Sequence, residues 1–302
     1  SRHLYPVSRG AIGQYGMYLC VTTKPSGIII AVAAMTHMPS GAKRITVPTP
    51  QESDNPCYCM HEYSLSVRKK RTYTIEKIVA LYTSRDSDSS NPRRDAIRAV
   101  KNAKPFKGLL VDHKRAWRLL WQVADIGIRG SSRYQQVLRL HTFHLLQKAS
   151  PNTRMEDAGM PARGLHGEAY RGHIFWDEVF VVPFYDSHFP AIAQSLLGYR
   201  FRRLAEARRA ARAAGYQGSM FPWQSGSRGI EETQIIHLNP LSGRWDPDHS
   251  HIQRHVSFAI AYNVWHHWVW TGSQQFVRRY GAELLLSIAR FGAALVTYCK
   301  VD

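Results

Sequence analysis

Aromatic, carboxylate and cationic side chains are concentrated around glycines in residues 162–178. That mixture suits a sugar, because a pyranose has apolar C–H faces that stack on an indole ring. The hydroxyl groups around the pyranose need acceptors such as Asp and donors such as Arg or His. Trp176 and Asp177 supply an indole and an acceptor at adjacent positions. The segment therefore predicts a carbohydrate-binding site.

Each candidate residue also has a structural interpretation. Trp176 is alternatively an indole of the hydrophobic core, and Asp177 is alternatively the N-cap of the helix that follows it. Trp223 is alternatively a loop tryptophan packed under a turn that Pro222 sets. Residue type alone leaves both interpretations open for all three.

Other polar clusters carry weaker signals. His249, His251 and His255 have a spacing that a metal site can use, but no carboxylate pattern accompanies them, so no metal is expected. Glu231 and Glu232 are predicted to be an exposed loop pair, with capping of the following segment by one of them as the alternative.

The chain is strongly basic. Its 302 residues, 44% of them hydrophobic, can bury a core, and their net charge of +18 by itself favours a polyanion partner or an anionic membrane surface. No zinc-finger spacing, RNP-like strand or heptad pattern accompanies the charge, so nucleic acid is not the expected partner. A helix predicted over residues 191–214 has a solvated cationic face and an inward stripe. The cations are Arg200, Arg202, Arg203, Arg208, Arg209 and Arg212, and the stripe is Ile192, Leu196, Tyr199 and Leu204.

Strand signals dominate the first 85 residues. Alternation in residues 17–23, a turn signal in residues 25–27 and a β-branched run in residues 28–33 predict a hairpin. Residues 72–82 alternate in the same way and predict another strand. Residues 84–105 are polar and are predicted to be a linker that contains a short helix.

Helix signals dominate from residue 106 onward. Two amphipathic helices are predicted, each with one face packed against the rest of the protein. Two further helices are predicted nearer the C-terminus. The first two are residues 109–121, with Leu110, Trp117, Leu120 and Trp121 covered, and residues 134–148, with Val137, Leu138, His141 and Leu145 covered. The last two are residues 256–271 and residues 274–297.

The four cysteines are predicted to be free thiols. Cys57 and Cys59 are too close in sequence for a typical bridge, and no second Cys or His pair completes a zinc site around them. Free thiols at these positions and at Cys20 and Cys299 favour a reducing cytoplasm. The sequence has neither a signal-peptide pattern nor an apolar run of about 18 residues, so no membrane span is expected.

Several ordered motifs carry a family resemblance. They are residues 78–86, 138–147, 162–178, 215–225, 255–265, 280–283 and 289–291. Together they resemble glycoside hydrolase family 65, the inverting disaccharide phosphorylases and hydrolases that act on trehalose, maltose, kojibiose and related α-glucosides. Residues 162–178 resemble the segment that opens the family's catalytic domain.

The resemblance implies a multidomain fold with α and β structure. Residues 1–85 correspond to the remnant of an N-terminal β-sandwich, residues 86–150 to linker helices, and residues 151–302 to the N-terminal part of an (α/α)6 catalytic barrel. Loops at one end of such a barrel build the site. A partial sandwich would expose strand edges and half a core.

The resemblance also bears on the catalytic acid. Inverting cleavage needs a protonated carboxyl that protonates the leaving oxygen. By residue type alone, Glu168 or Glu178 is the candidate general acid. The family acid, however, is a Glu in a Gly-Pro-Asp-Glu motif beyond an Ala-Arg-Phe segment, and this chain reaches Asp302 without that motif. The resemblance therefore implies no catalytic residue here and a fragment that is inactive alone.

The family residues that carry over are sugar contacts. Trp176 and Asp177 match a Phe-Trp-Asp motif. In the family, the Asp of this motif forms hydrogen bonds with glucose hydroxyls, and the Trp forms part of the wall of the glucose subsite. Trp223 matches the Trp of a Tyr-Pro-Trp-Glu-Ser motif, in which Gln224 replaces the Glu and removes a charge-assisted acceptor. The other rim residues implied by the resemblance are Arg171, His173, His255 and Ser257.

Two functions follow as hypotheses. The first is the N-terminal part of the catalytic region of an α-glucosyl disaccharide phosphorylase or hydrolase, with trehalose or maltose as the expected substrate. The family implies no cofactor, inorganic phosphate as co-substrate in its phosphorylases, and a homodimer for the intact protein. The alternative is a non-enzymatic basic protein that binds carbohydrate or a polyanion.

Overall fold

The computed structural model describes residues 3–24, 26–45, 57–154, 156–164 and 170–296. Contacts divide the chain into two compact units, Ser1–Leu119 and Leu120–Asp302. Within the described ranges, no helix combines the length and the apolar character that a membrane crossing requires. The expectations for Pro25, Glu168 and Cys299 lie outside the described residues.

A four-stranded antiparallel sheet with the order β1-β2-β3-β6 forms the centre of the first unit. Its strands are β1 (Leu4–Ile12), β2 (Gly16–Thr23), β3 (Ile29–His37) and β6 (Glu76–Thr83). β2 and β3 form the predicted hairpin, with Cys20 opposite Ala31. A separate small sheet pairs β4 (Lys43–Ile45) with β5 (Glu62–Ser64).

Helix α1 (Pro92–Lys101) covers one face of the larger sheet. Its N-cap Asn91 accepts a hydrogen bond from the backbone of Arg94, which satisfies a donor of the first turn. The buried side chains between helix and sheet are Ile12, Cys20, Ala31, Ala33, Ala96 and Val100. Val79 and Leu81 of β6 are exposed. The predicted antiparallel strands are confirmed, and the β-sandwich stays a prediction.

Helices make up most of the rest of the described chain. They are α2 (Phe106–Ala124), α3 (Ser132–Lys148), α4 (Glu178–His188), α5 (Pro190–Arg202), α6 (Leu204–Ala213) and α7 (Val256–Thr271). Helix α8 (Gln274–Phe276) continues through the π-helical turn Val277–Gly281 into α9 (Ala282–Leu295). Strands β7 (Ile236–Leu238) and β8 (Trp245–Pro247) form a hairpin between α6 and α7. Helix α7 has the predicted bounds.

Two clusters of buried apolar side chains hold the helices of the second unit together. Helix α4 packs against α5 and α7, and α7 packs against α5 and α9. The larger cluster includes Leu197, Leu204, Phe221, Val256, Ile260, Val264, Phe276, Leu284 and Ile288. The smaller includes Met160, Val182, Tyr185, Ile192 and Leu196. The (α/α)6 barrel and the domain bounds at residues 85 and 150 stay predictions.

The helix predicted over residues 191–214 is two helices, because the chain turns at Arg203 (φ −104°, ψ 7°). The predicted inward stripe is buried. The predicted solvated face is wrong for Arg200 and Arg203, which are 1% and 5% exposed. Each of these guanidinium groups is paired with a carboxylate, that of Glu178 or Asp157, because a buried charge needs a partner.

The covered side is confirmed for α2 and differs from the prediction for α3. In α2, the half-buried side chains include all four that were predicted, Leu110, Trp117, Leu120 and Trp121. In α3, the predicted Leu138 and Leu145 are half-buried, but Val137 and His141 are exposed, and the buried residues are Thr142 and Leu146. The apolar residues of α3 are distributed around the whole helix and not along one face. Periodicity alone therefore did not identify the face that makes contacts.

Candidate functional site

Five of the predicted site residues line one cavity of about 470 Å³. They are Arg171, Trp176, Asp177, Trp223 and Gln224. Residues from the segment before α7 also line it, and no periodicity or motif in that segment identifies them from sequence. These are Thr233, Gln234, Asp248 and Ser250.

A short antiparallel bridge brings the two predicted segments together. Ile174 N donates a hydrogen bond to Ser225 O over 3.0 Å, and Ser225 N donates to Ile174 O over 2.9 Å. Trp176 lies two residues after Ile174, and Trp223 lies two residues before Ser225. The bridge therefore places both indoles at the same cavity.

Trp176 and Trp223 both contact the imidazole of His255 edge to face. The ring centroids are 5.4 Å apart in each pair. Both indoles pack against the larger apolar cluster and also line the cavity. The core interpretation and the site interpretation are therefore compatible, because each ring contributes to both environments.

Asp177 lies immediately before α4, but its carboxylate makes no capping hydrogen bond. Asp177 therefore occupies the N-cap position, as the N-cap interpretation has it, but its side chain does not cap the helix. The residue lines the cavity instead. Its charge acts on the half-buried Lys148, whose pKa is lowered by desolvation while Asp177 opposes the shift. The Asp177 carboxylate is thus placed as a hydrogen-bond acceptor at the cavity.

Glu178 has a structural role that argues against its nomination as an acid. Its carboxylate is buried, and Oε2 accepts a hydrogen bond from Arg200 Nε over 2.8 Å. Oε1 accepts from Met160 N over 3.1 Å, and Arg200 Nη2 donates to Phe175 O over 2.9 Å. This ion pair therefore holds the backbone segment that carries Trp176 and Asp177.

Glu231 organises the loop that carries Trp223 and Gln224. Its carboxylate accepts hydrogen bonds from Trp223 N over 2.7 Å and from Gln224 N and Thr233 N, both over 3.1 Å. A carboxylate with several backbone donors fixes those donors in one arrangement. The side chain is exposed, as predicted, but it holds the loop in place.

Glu232 is half-buried, so the prediction of an exposed position is wrong for this residue. Its Oε2 lies 2.9 Å from Nε2 of His173, and its backbone N donates to Gln224 O over 3.1 Å. A Cβ added at Gly226 would overlap the Glu232 carboxylate. Glu232 therefore joins the loop after Gln224 to the segment before Trp176.

Left-handed backbone precedes the first indole. Tyr170, Arg171 and Gly172 have φ values of 58°, 54° and 70°. This conformation is strained for the two residues with side chains and costs each about 1–3 kcal/mol. The Tyr170 ring contacts Phe175 with a centroid distance of 5.1 Å. The strained turn presents Arg171 to the cavity.

Three predicted rim residues do not line the cavity. Ser257 is fully buried, and its Oγ accepts a hydrogen bond from Phe221 N over 3.0 Å. His173 and His255 contact residues of the lining instead. Across the described residues, no group of three potential ligands could hold a metal ion.

Asp248 adds a second carboxylate to the lining. Hydrogen bonds from the Ser250 side chain and backbone lower its pKa, so the group is ionised at neutral pH. An ionised carboxylate accepts hydrogen bonds from sugar hydroxyls, whereas a general acid must be protonated.

A second arginine clamp holds the far end of the same loop. Arg203 Nη1 and Nη2 donate to the two oxygens of Asp157 over 2.7 and 3.0 Å. Nη2 also donates to Ser227 O over 2.7 Å. The guanidinium carbon lies 3.7 Å from the ring centroid of Tyr199, whose hydroxyl contacts Ser225 Oγ at 2.7 Å.

This clamp predicts a pH dependence of stability. Burial raises the pKa of Asp157, but hydrogen bonds and charge from Arg203 and Arg202 outweigh it and lower the pKa from 3.8 to about 2. A depressed pKa stabilises the fold above the unfolded value and loses that contribution as the pH falls through the folded value. The contribution is therefore complete above about pH 4 and is lost towards pH 2.

We expect Asp157→Asn to remove about 1 kcal/mol of this pH-dependent stability, a value reduced for solvent screening of the partly exposed carboxylate. Urea unfolding at pH 6 and at pH 3 measures it in both proteins. The difference between wild type and variant should be smaller at pH 3. An equal difference at both pH values would contradict the assignment.

The cavity brings together the two tryptophans that the sequence predicted for one site, and comparison with known proteins identifies the family. Residues 139–301 match the glycosyl hydrolase family 65 central catalytic domain, and residues 1–120 match the family's N-terminal domain. The chain therefore belongs to glycosyl hydrolase family 65, and the resemblance seen in the motifs is confirmed.

Three proteins illustrate the similarity. An uncharacterized glycosyl hydrolase of Mycobacterium tuberculosis is 45% identical over 273 residues, which cover 90% of this chain and 20% of that protein. Trehalose 6-phosphate phosphorylase of Lactococcus lactis is 33% identical over 275 residues, covering 90% and 35%. A solved structure assigned as a kojibiose phosphorylase from the human microbiome matches with a TM-score of 0.74 at 22% identity, covering 99% and 37%.

This chain spans between about a fifth and two fifths of the length of these proteins. The similarity to the solved structure supports the shared fold.

Proposed function

We propose that the chain binds the terminal glucosyl unit of an α-glucoside disaccharide in the cavity. The observation that carries this proposal is the convergence of Trp176, Trp223 and Asp177 on one cavity, with the Asp177 carboxylate free of the helix cap. Indole surface suits the apolar face of a pyranose, and the carboxylate suits its hydroxyl groups.

The family relation supports the same substrate class. The relatives named for their activity include a trehalose 6-phosphate phosphorylase, kojibiose phosphorylases, a 1,2-alpha-glucosylglycerol phosphorylase and a kojibiose hydrolase. Gln224 is 7% exposed and carries a neutral amide, which both donates and accepts hydrogen bonds. We propose that this amide contributes to the choice of the second sugar, because a carboxylate at the same position would only accept.

We propose that this chain contributes sugar binding and that the general acid is not among the carboxylates of the cavity described. Glu178 is occupied by Arg200, and Asp248 is ionised. In the reaction class of the family, phosphate or an activated water attacks the glucosyl carbon from the face opposite the leaving oxygen. Asp177, Trp176 and Trp223 would hold the glucosyl unit during that attack.

The test measures binding of trehalose, maltose and kojibiose by saturation-transfer NMR and calorimetry. We expect Asp177→Asn to weaken binding about tenfold or more, because a hydrogen bond to a charged acceptor contributes about 1.5–3 kcal/mol. Asp112→Asn is the matched control, since Asp112 is an exposed carboxylate of α2 paired with Lys104. Absence of saturable binding by wild type, or equal binding by both variants, would contradict the proposal.

Release of glucose or glucose 1-phosphate, with and without phosphate, is measured in the same samples.

Salt dependence separates sugar binding from the polyanion alternative. Binding of a neutral disaccharide should change little with salt, whereas binding of a polyanion should weaken steeply.

A further inference from the structure

A second cavity, of about 390 Å³, lies along α5 and is separate in its lining from the first. Its polar lining comes from one stripe of α5, from the segment before Asp157 and from the π-helical turn before α9. These residues are Arg154, Gln194, Ser195, Arg202, Arg279 and Tyr280.

The charge in this groove is unbalanced. Arg202 Nε donates to Asp157 Oδ1 over 2.6 Å, but the same carboxylate also pairs with Arg203. One negative charge therefore serves two guanidinium groups. Among the ion pairs of the described residues, none involves Arg154 or Arg279. The groove thus has an excess of positive charge.

Local structure shapes the groove and positions its cations. Ser195 Oγ donates to Arg154 O over 2.7 Å, which ties the segment carrying Arg154 to α5. Gly198 leaves room for the neighbouring guanidinium, because a Cβ at that position would lie 3.1 Å from Arg202 Nη1. The groove is therefore lined by three arginines, Arg154, Arg202 and Arg279, next to the small residue Gly198 of α5.

The third cation comes from an unusual element. Arg279 and Tyr280 lie in the π-helical turn Val277–Gly281. Such turns are rare in proteins overall, but many of those that occur lie at functional sites. The extra residue changes the direction of the side chains that follow. The Tyr280 ring contacts Phe201 of α5 with a centroid distance of 5.0 Å, which fixes the turn against α5.

We propose that this groove binds a phosphate dianion, either free or as the monoester of a small polyol or sugar. Guanidinium groups match the geometry of phosphate oxygens and form paired hydrogen bonds with them. Gln194 and Tyr280 also line the groove, and their side chains carry neutral hydrogen-bond donors. Its volume accommodates a group larger than phosphate alone.

The test measures thermal unfolding and calorimetric binding of the full chain against inorganic phosphate and glucose 6-phosphate at constant ionic strength. We expect saturable stabilisation by phosphate in the wild type. The Arg154→Gln, Arg279→Gln double variant should bind at least about tenfold more weakly, because two charge-assisted contacts are lost. The Arg212→Gln, Arg244→Gln double variant loses the same charge at exposed positions and should bind like wild type.

The two ligands distinguish the source of the phosphate. Tighter groove-dependent binding of glucose 6-phosphate supports a monoester, and tighter binding of inorganic phosphate supports the free ion. Equal responses of both double variants, or a response that never saturates, would overturn the proposal and indicate general screening of a basic chain. Asp177→Asn should keep the phosphate response, so failure of the sugar proposal and failure of this one are distinguishable.

Discussion

Replacement of Glu178 by Ala is expected to lower the free energy of unfolding by about 3–5 kcal/mol, because it leaves the guanidinium of Arg200 buried without its counter-ion. Arg200 is 1% exposed, so water does not replace the lost carboxylate. The Met160 N–H loses its acceptor at the same time. Urea unfolding followed by circular dichroism measures the change.

Two controls test whether burial causes the effect. Glu206→Ala removes a carboxylate from a surface pair with Arg209 and should cost less than about 1 kcal/mol. The Glu178→Leu, Arg200→Met double variant removes both buried charges and should be more stable than Glu178→Ala alone. A cost for Glu178→Ala as small as that of Glu206→Ala would show that the pair is not buried as described.

The sequence predicted the chemistry of residues 176–177 but not the role of the next residue. Trp176 and Asp177 stand out because an indole and a carboxylate side by side suit a sugar. Glu178 looks equally suited to chemistry, and only its partner Arg200, 22 positions later, shows that it is structural. The residue pattern placed that partner on a solvated face, because periodicity does not show which cation turns inward.

Local sequence patterns predicted the helices and strands better than they predicted where a helix is interrupted. The hairpin of β2 and β3 and helix α7 follow from alternation and from a continuous apolar run. The break at Arg203 carries no Gly or Pro signal. It accompanies long-range contacts of its side chain with Asp157 and Ser227, which no window of sequence contains.

The same limit applies to the site. Glu231 and Asp248 contribute through hydrogen bonds to backbone groups and to a neighbouring serine, and such contacts leave no periodic pattern. The motif resemblance identified the residues near Trp223 because it rests on ordered similarity and not on geometry. Sequence therefore located one part of the cavity, and the structure added Thr233, Gln234, Asp248 and Ser250.

Gly218→Ala is expected to destabilise the chain by about 3 kcal/mol, since a left-handed alanine costs about 1–2 kcal/mol and overpacking adds about 1–3 kcal/mol. Gly218 has a φ of 78°, and a Cβ there would overlap the backbone of α9 at Ser287 and Phe291. Backbone cannot move aside as a side chain does. The adjacent Ser219 N donates to Ser287 O over 3.0 Å, so the overlap would also weaken this contact.

Gly215→Ala separates the two causes, because Gly215 has a φ of 82° but nothing within 4 Å of an added Cβ. It should cost about 1–2 kcal/mol, the cost of the left-handed backbone alone. Equal unfolding free energies for the two variants would show that α9 does not contact the segment at Gly218. The segment continues directly to Trp223, so displacement at Gly218 should also weaken sugar binding, whereas Gly215→Ala should leave binding unchanged. Comparison of stability and binding in this pair thus tests whether the contact with α9 sets the position of the second indole.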